Sequence, residues 1–315
     1  MQNLSGQPLW DSQFLVLVRS VFARIQSELL QNQQSFLGAL VPSWINRLSG
    51  SSLPEDYYLK PRSAPLLLLP WHLDRALSAT PDDAFQCDLM YASINKYYSV
   101  RLVDDVMDGH GADPALLPMS SVWDARFQST YARHFPPDHP FWTYFHETLL
   151  RMAVVVTEER RLSNIDLSIF LDFSAAKSCG ATIALLAVCY RRDRLEAFPA
   201  WLRFWEVFAK WNQMRDDLLD WHRDLRAGLP SYFLCEGQRR KATDESLESW
   251  YVREGFAWAS QLLAEWTREL VQQAAALGSA DVERYVGFRA DDHNRQIAEM
   301  ATGVESLASL SRLEL

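Results

Sequence analysis

A chain of 315 residues is long enough to bury a large core, as one helical domain or two ordinary ones. Its net charge of −9 excludes a general nucleic-acid binder, which needs a basic surface. With 48% hydrophobic and 23% charged residues, a disordered chain is excluded as well.

Apolar residues recur at helical spacing along most of the chain, and strand-like alternation is scarce. In order, the pattern predicts helices over residues 9–33, 35–47, 64–78, 81–108, 119–134, 140–161, 165–191, 196–226, 244–277 and 280–310. Residues 48–65, 110–118, 135–140 and 228–241 read as loops. Thr80-Pro81-Asp82-Asp83 offers a capping hydroxyl, a proline at the first helical position and early carboxylates. Ser279 stands before Asp281 in the same manner, and Pro70 is expected to kink its helix. No loop is long or polar enough to divide the chain, so one all-α domain over 1–315 is expected.

Cys87, Cys179, Cys189 and Cys235 form no metal-binding spacing. The start MQNLSGQPLW lacks a basic segment followed by an apolar run. Apolar stretches such as 181–190 read as too short to span a bilayer. The expectation is a cytoplasmic protein with no stable membrane insertion. The 12 Trp, 16 Phe and 11 Tyr make either a large aromatic core or an aromatic-walled cavity for a bulky apolar substrate. Composition by itself favours the core.

Two aspartate clusters carry the strongest signal. In Arg101-Leu-Val-Asp104-Asp105-Val-Met-Asp108-Gly109, Asp104 and Asp108 stand four apart and share a helix face. In Gln213-Met-Arg-Asp216-Asp217-Leu-Leu-Asp220-Trp-His-Arg-Asp224, the carboxylates of Asp216, Asp220 and Asp224 repeat every four residues. A solvated acidic face is the plain alternative. Against it, both clusters lie near helix C-termini, where carboxylates oppose the dipole, and like charges at i,i+4 repel by about 0.2–0.5 kcal/mol per pair. Long apolar stretches precede both. Oxygen-only ligands suit Mg²⁺ shared with phosphates. The expected arrangement is two acidic helix ends gripping a diphosphate above an apolar pocket.

These motifs resemble those of the class I isoprenoid synthase superfamily, which includes polyprenyl diphosphate synthases and class I terpene synthases. Asp104-Asp105-Val-Met-Asp108 is similar to its DDxxD motif, and Gln213 to Asp220 to its second aspartate-rich motif. The resemblance covers roughly residues 60–235 and implies an all-α bundle with a central active-site cavity. It implies that Asp104, Asp105, Asp108, Asp216, Asp217, Asp220 and Asp224 hold Mg²⁺, in three ions, with Asp104, Asp105, Asp108, Asp216 and Asp220 catalytic. A prenyl diphosphate is the implied substrate, and a homodimer is compatible. Lys177, Arg62, Arg101, Arg226 and Arg284 are candidates for binding diphosphate. Tyr97, Tyr98, Ser99, Phe173, Trp205, Phe208, Trp211 and Gln213 are candidates for the substrate pocket.

The pattern departs from chain-elongating synthases in one respect: no Arg-Arg pair follows Asp108, where the chain reads Gly109-His-Gly-Ala-Asp-Pro. That departure favours cyclisation of one prenyl diphosphate. Prenyl transfer is the alternative, and a non-catalytic prenyl-binding paralogue a further one. The 109–118 and 228–241 loops are expected to close over the diphosphate. Asp291-Asp292-His293 reads as a solvated face.

Overall fold

A computed structural model describes residues 10–31, 36–159 and 161–311. Among these residues every regular element is helical and no strand occurs. The helices are α1 (Ser12–Leu30), α2 (Phe36–Ser49), α3 (Glu55–Tyr58), α4 (Pro65–Leu77), α5 (Asp83–Met107) and α6 (Pro118–Ala132). They continue as α7 (Phe141–Glu159), α8 (Leu167–Lys177), α9 (Thr182–Arg191), α10 (Phe198–Ala227) and α11 (Tyr232–Arg240). The last are α12 (Leu247–Trp250), α13 (Phe256–Ala276) and α14 (Ala280–Ser311).

The chain forms two compact units, one of residues up to 144 with 184–196, the other of 145–183 with 197 onward. In the first, α5 is the central helix, packed against α1, α4 and α6. Its inward face carries Phe85, Leu89, Ile94, Tyr98 and Leu102, all buried. Asp74, fully buried at the end of α4, pairs with Arg192 and accepts from the Asp82 N–H at 3.0 Å. That carboxylate ties the α4–α5 junction to the end of α9. In the second unit α10 is central, against α8, α11 and α13, and α14 covers α13. Trp201, Phe204, Phe208, Trp211 and Leu218 form its buried stripe.

Several local expectations change. Asp82 caps α5, accepting from Phe85 N–H at 3.1 Å. Thr80 does not, because α5 starts at Asp83 and Thr80 lies three residues before it; its carbonyl instead accepts from Ser78 Oγ and Arg192. The segment 165–191 is broken by a 3₁₀ turn at Cys179–Ala181. There Gly180 weakens the helix, and the hydroxyls of Ser178 and Thr182 bond backbone carbonyls at Ser174 and Cys179. The stretch Leu167–Arg191 is nonetheless long and apolar enough to cross a membrane by length and composition, contrary to the sequence estimate; half of it is buried inside the fold, as in a core helix. Pro70 lies inside α4 without ending it. The 228–241 loop contains α11, started by Ser231, whose hydroxyl accepts from Leu234 N–H at 3.3 Å. Tyr232, Phe233, Leu234 and Cys235 are buried there, so the first turn of α11 is core, and residues 228–231 connect it to α10.

Candidate functional site

In the first unit, α5 delivers its aspartates at its last turn. Asp108 caps the helix, Gly109 takes the left-handed conformation (φ 69°), and His110 N–H bonds back to Asp105 C=O at 2.8 Å. The sequence Asp-Gly thus ends the helix at the motif. Arg101 pairs with Asp104 at 3.3 Å and with Asp105 at 2.8 Å. The three carboxylates have different surroundings. Asp105 is buried and accepts from Trp44 Nε1 at 3.1 Å, whereas Asp104 is part-exposed and Asp108 exposed. Asp104 and Asp108 therefore present oxygens outward, while Asp105 holds α5 to α2.

Tyr97 lies two turns before Asp104 on the same face and meets Tyr57 through a hydrogen bond between hydroxyls. Tyr98 points elsewhere, into a cluster with Trp44 (5.8 Å), Trp123 (5.5 Å) and Tyr58 (6.2 Å). Ser99 is buried. Arg62 is exposed in the turn between α3 and α4. Nearby Lys60 donates to Ser49 C=O at 2.7 Å. A 290 Å³ cavity in this unit is lined by Phe22, Ile25, Leu29, Pro42, Ile45 and Tyr98, on the side of Tyr98.

In the second unit, α10 carries the longer stripe. Asp217 is buried and accepts from Gln213 Nε2 at 2.8 Å and from Tyr232 N–H at 3.2 Å. Burial pushes its carboxyl up to about 7, against the pull of Gln213 and Lys177. Burial also raises Asp224. Asp216 accepts from Asn212 Nδ2 at 3.3 Å, and Asp220 pairs with Arg223 at 2.9 Å. Lys177, at the end of α8, pairs with Glu159 at 2.7 Å, and its charge acts on Asp217 and Asp224. Lys177 thus lies within electrostatic reach of the second motif. Arg226 is exposed in the last turn, and Arg284 pairs with Asp281 at 2.5 Å on α14. Phe173 is half-buried on α8. Trp205 and Phe208 are buried in the α10 core with their rings tilted against each other, and Phe208 packs against Tyr285 in the same way. Trp211, five residues before Asp216 and so about 140° round the helix, donates to Thr267 on α13 at 2.8 Å. It belongs to the core.

Asp216, Asp220 and Asp224 span about 12 Å along the helix at 1.5 Å per residue. Among the described residues, no three His, Cys, Asp or Glu side chains converge on a point that could hold a metal. An oxygen-only stripe offering carboxylates one or two at a time fits Mg²⁺, which keeps its waters and shares carboxylates with phosphate oxygens. It does not fit an all-protein cage for Ca²⁺ or a tetrahedral Zn²⁺ site.

Two buried arginines were missed by the sequence reading. Arg215 and Arg289 are 7% and 2% exposed, and His293 beside them is 3% exposed. The signal was present: Val282, Tyr285, Val286, Arg289, Ala290 and His293 recur at helical spacing and form the inward face of α14. The expected solvated face is therefore only Asp291 and, in part, Asp292.

His293 is held down to about 4 by burial, with Arg215 and Arg289 adding to the effect and Asp292 opposing it. It is neutral in the fold, while an unfolded chain takes up the proton below the ordinary value of 6.5. The contribution of His293 to stability is therefore whole above pH 6.5 and falls as pH drops towards 4, while the raised Asp217 carboxyl contributes in the opposite direction as pH falls below about 7. We expect His293 by itself to account for a loss of about 2 kcal/mol between pH 7.5 and 5.0, at 1.36 kcal/mol per unit below 6.5. His293→Phe, which keeps a ring against Trp211, should remove that contribution, so that its change in stability from pH 7.5 to 5.0 in urea melts is more favourable than the wild type's by about 2 kcal/mol. Equal slopes would place the titration elsewhere.

No family model and no curated protein matches the sequence. Among solved structures the chain is similar to a geranylgeranyl pyrophosphate synthetase from the archaeon Geoglobus acetivorans. Identity is 17%, the match covers 85% of this chain and 97% of that one, and the TM-score is 0.58. The chain has the all-α helical fold of the isoprenoid synthases.

Proposed function

We propose that this chain is a Mg²⁺-dependent enzyme acting on prenyl diphosphates, and that it transfers a prenyl group, making a longer prenyl diphosphate or joining two. The observation that carries this reading is the isoprenoid synthase fold holding two aspartate motifs near the C-terminal ends of α5 and α10, with Asp108 exposed and Asp104 and Asp220 part-exposed. The similar solved structure is a prenyl-transferring enzyme by name, which favours transfer over cyclisation. In this reading Asp104 and Asp108 are the metal-binding carboxylates of α5, and Asp216, Asp220 and Asp224 those of α10. Lys177 and Arg226 supply positive charge to the diphosphate. Bound Mg²⁺ would neutralise charge on the departing diphosphate. Buried Asp105 and Asp217 hold the two motif helices in place through Trp44 and through Gln213 and the Tyr232 N–H.

A second reading is cyclisation of a single prenyl diphosphate. It is favoured by the absence of an Arg-Arg pair after Asp108, where exposed His110 and Gly111 stand instead. Incubating the protein with Mg²⁺ and C10 to C25 prenyl diphosphates, with and without isopentenyl diphosphate, separates the readings. A longer diphosphate formed only with isopentenyl diphosphate, or a head-to-head product, supports transfer. Hydrocarbons or alcohols from one substrate support cyclisation. No turnover with any substrate overturns both and leaves a prenyl-binding subunit.

A further inference from the structure

The 290 Å³ cavity beside Tyr98 is chemically unlike the aspartate motifs. Its floor is Phe22, Ile25, Ile45 and Tyr98, all buried, from α1, α2 and α5. Gln26, Asn46 and Ser52 stand exposed at its edge. Among the described residues, none that lines it is charged. A diphosphate there would lose its water with no cation to replace it. A neutral aliphatic molecule has no such cost and can leave one polar atom at the amide rim. Leu30 is 57% exposed at the mouth, and Leu53, 51% exposed, stands between the lining residues Ser52 and Pro54. Apolar surface therefore continues from the floor to the outside. An apolar cavity of roughly 150 Å³ takes one benzene, so this one holds about ten to twelve carbon atoms.

Helical phase sets the cavity apart from the metal-binding face of α5. At about 100° per residue, Tyr98 lies about 20° from Asp105 but about 120° from Asp104. A prenyl tail descending from Asp104 and Asp108 would follow the Tyr97 side, and the cavity lies on another. What the cavity touches is the support of the first motif. Tyr98 packs edge-on against Trp44 at 5.8 Å, and Ile45 directly follows Trp44. Trp44 Nε1 is the donor that holds buried Asp105, at 3.1 Å. An occupant packed on Tyr98 and Ile45 fills the space into which Trp44 and its neighbours could relax. We propose that this cavity is an effector site for a neutral aliphatic alcohol of about ten carbons, whose binding steadies Trp44 on Asp105 and so tightens the first motif on Mg²⁺–diphosphate. The site itself is independent of the diphosphate reading above; its effect on the motif rests on that reading.

The test is calorimetry on the full chain, with geraniol as the ten-carbon alcohol and Mg²⁺–pyrophosphate as the second ligand. Wild type should bind geraniol, and Leu29→Trp, which places a ring in the cavity from a half-buried position on α1, should weaken that binding by roughly 10-fold or more. Saturating geraniol should tighten Mg²⁺–pyrophosphate binding by about 5-fold in wild type, with no such gain in Leu29→Trp. Should circular dichroism show that Leu29→Trp does not fold, Leu29→Phe carries the same test with a smaller loss. No geraniol binding, or binding that both Leu29 variants leave intact, would overturn the site. Geraniol bound in the cavity with unchanged pyrophosphate affinity would overturn its role as an effector. Geraniol binding lost in Leu29→Trp, together with no pyrophosphate binding by wild type under any condition, would uphold the site and sink the diphosphate reading with its coupling.

Discussion

Asp104→Ala and Asp220→Ala should each lower Mg²⁺-dependent turnover of prenyl diphosphate by about 10²–10³-fold or more, the loss typical of one preorganised electrostatic group. Neither should lose stability. Asp104 is 41% and Asp220 33% exposed, and their arginine partners are 36% and 71% exposed, so those ion pairs contribute little. Asp104 lies in the last turn of α5, where a negative charge opposes the dipole, and its removal should stabilise by a few tenths of a kcal/mol. Removing Asp220 relieves repulsion with Asp216 and Asp224 by about 0.2–0.5 kcal/mol per pair. Turnover and stability are thus expected to move in opposite directions, which a merely structural carboxylate cannot do. Asp105→Ala supplies the contrast. It strips a buried acceptor from Trp44 Nε1 and from Arg101, and should cost on the order of 2–3 kcal/mol. Steady-state rates and urea melts on the three variants check this. Full activity in Asp104→Ala or Asp220→Ala would remove the metal-binding role from that residue.

The second large effect is on stability. Trp250 is fully buried at the end of α12, directly before a π-helical turn at Tyr251–Gly255. Two glycines press against its ring. A Cβ on Gly255 would lie 2.5 Å from a ring carbon, and one on Gly237 would lie 2.8 Å away. Neither distance is tolerated without moving the ring, and Phe233 and Trp258 pack on it at 5.3 and 6.2 Å between ring centres. Trp250→Ala should therefore cost about 3–5 kcal/mol by emptying the site, and Gly255→Ala about 1–3 kcal/mol by overfilling it. Trp250→Phe combined with Gly255→Ala should cost less than the sum of the two, since the smaller ring makes room for the methyl. Tyr251 stacks on Trp221, the residue after Asp220, at 4.4 Å. The clamp therefore supports the end of α10 that carries the aspartates. A Gly255→Ala variant within 0.5 kcal/mol of wild type in urea melts would show that the ring has somewhere to go.

The all-α class and the two aspartate motifs were legible in the sequence because both rest on short-range periodicity. Helical spacing of apolar residues does not depend on what a helix packs against. Carboxylates four apart share a face wherever the helix lies. The end of α5 at Asp108-Gly109 was equally local, since glycine adopts the left-handed cap without strain. Tertiary structure decided what each carboxylate does. Asp104 and Asp105 are neighbours in an identical local pattern, yet only Asp105 turns to Trp44, 61 residues earlier in the chain. Asp216 and Asp217 divide in the same way, and the raised Asp217 carboxyl is a consequence of burial that spacing cannot report. The burial of Arg289 and His293 depended on which face of α14 meets its neighbours. Charged residues on a helix read as solvated until packing shows which of them point inward.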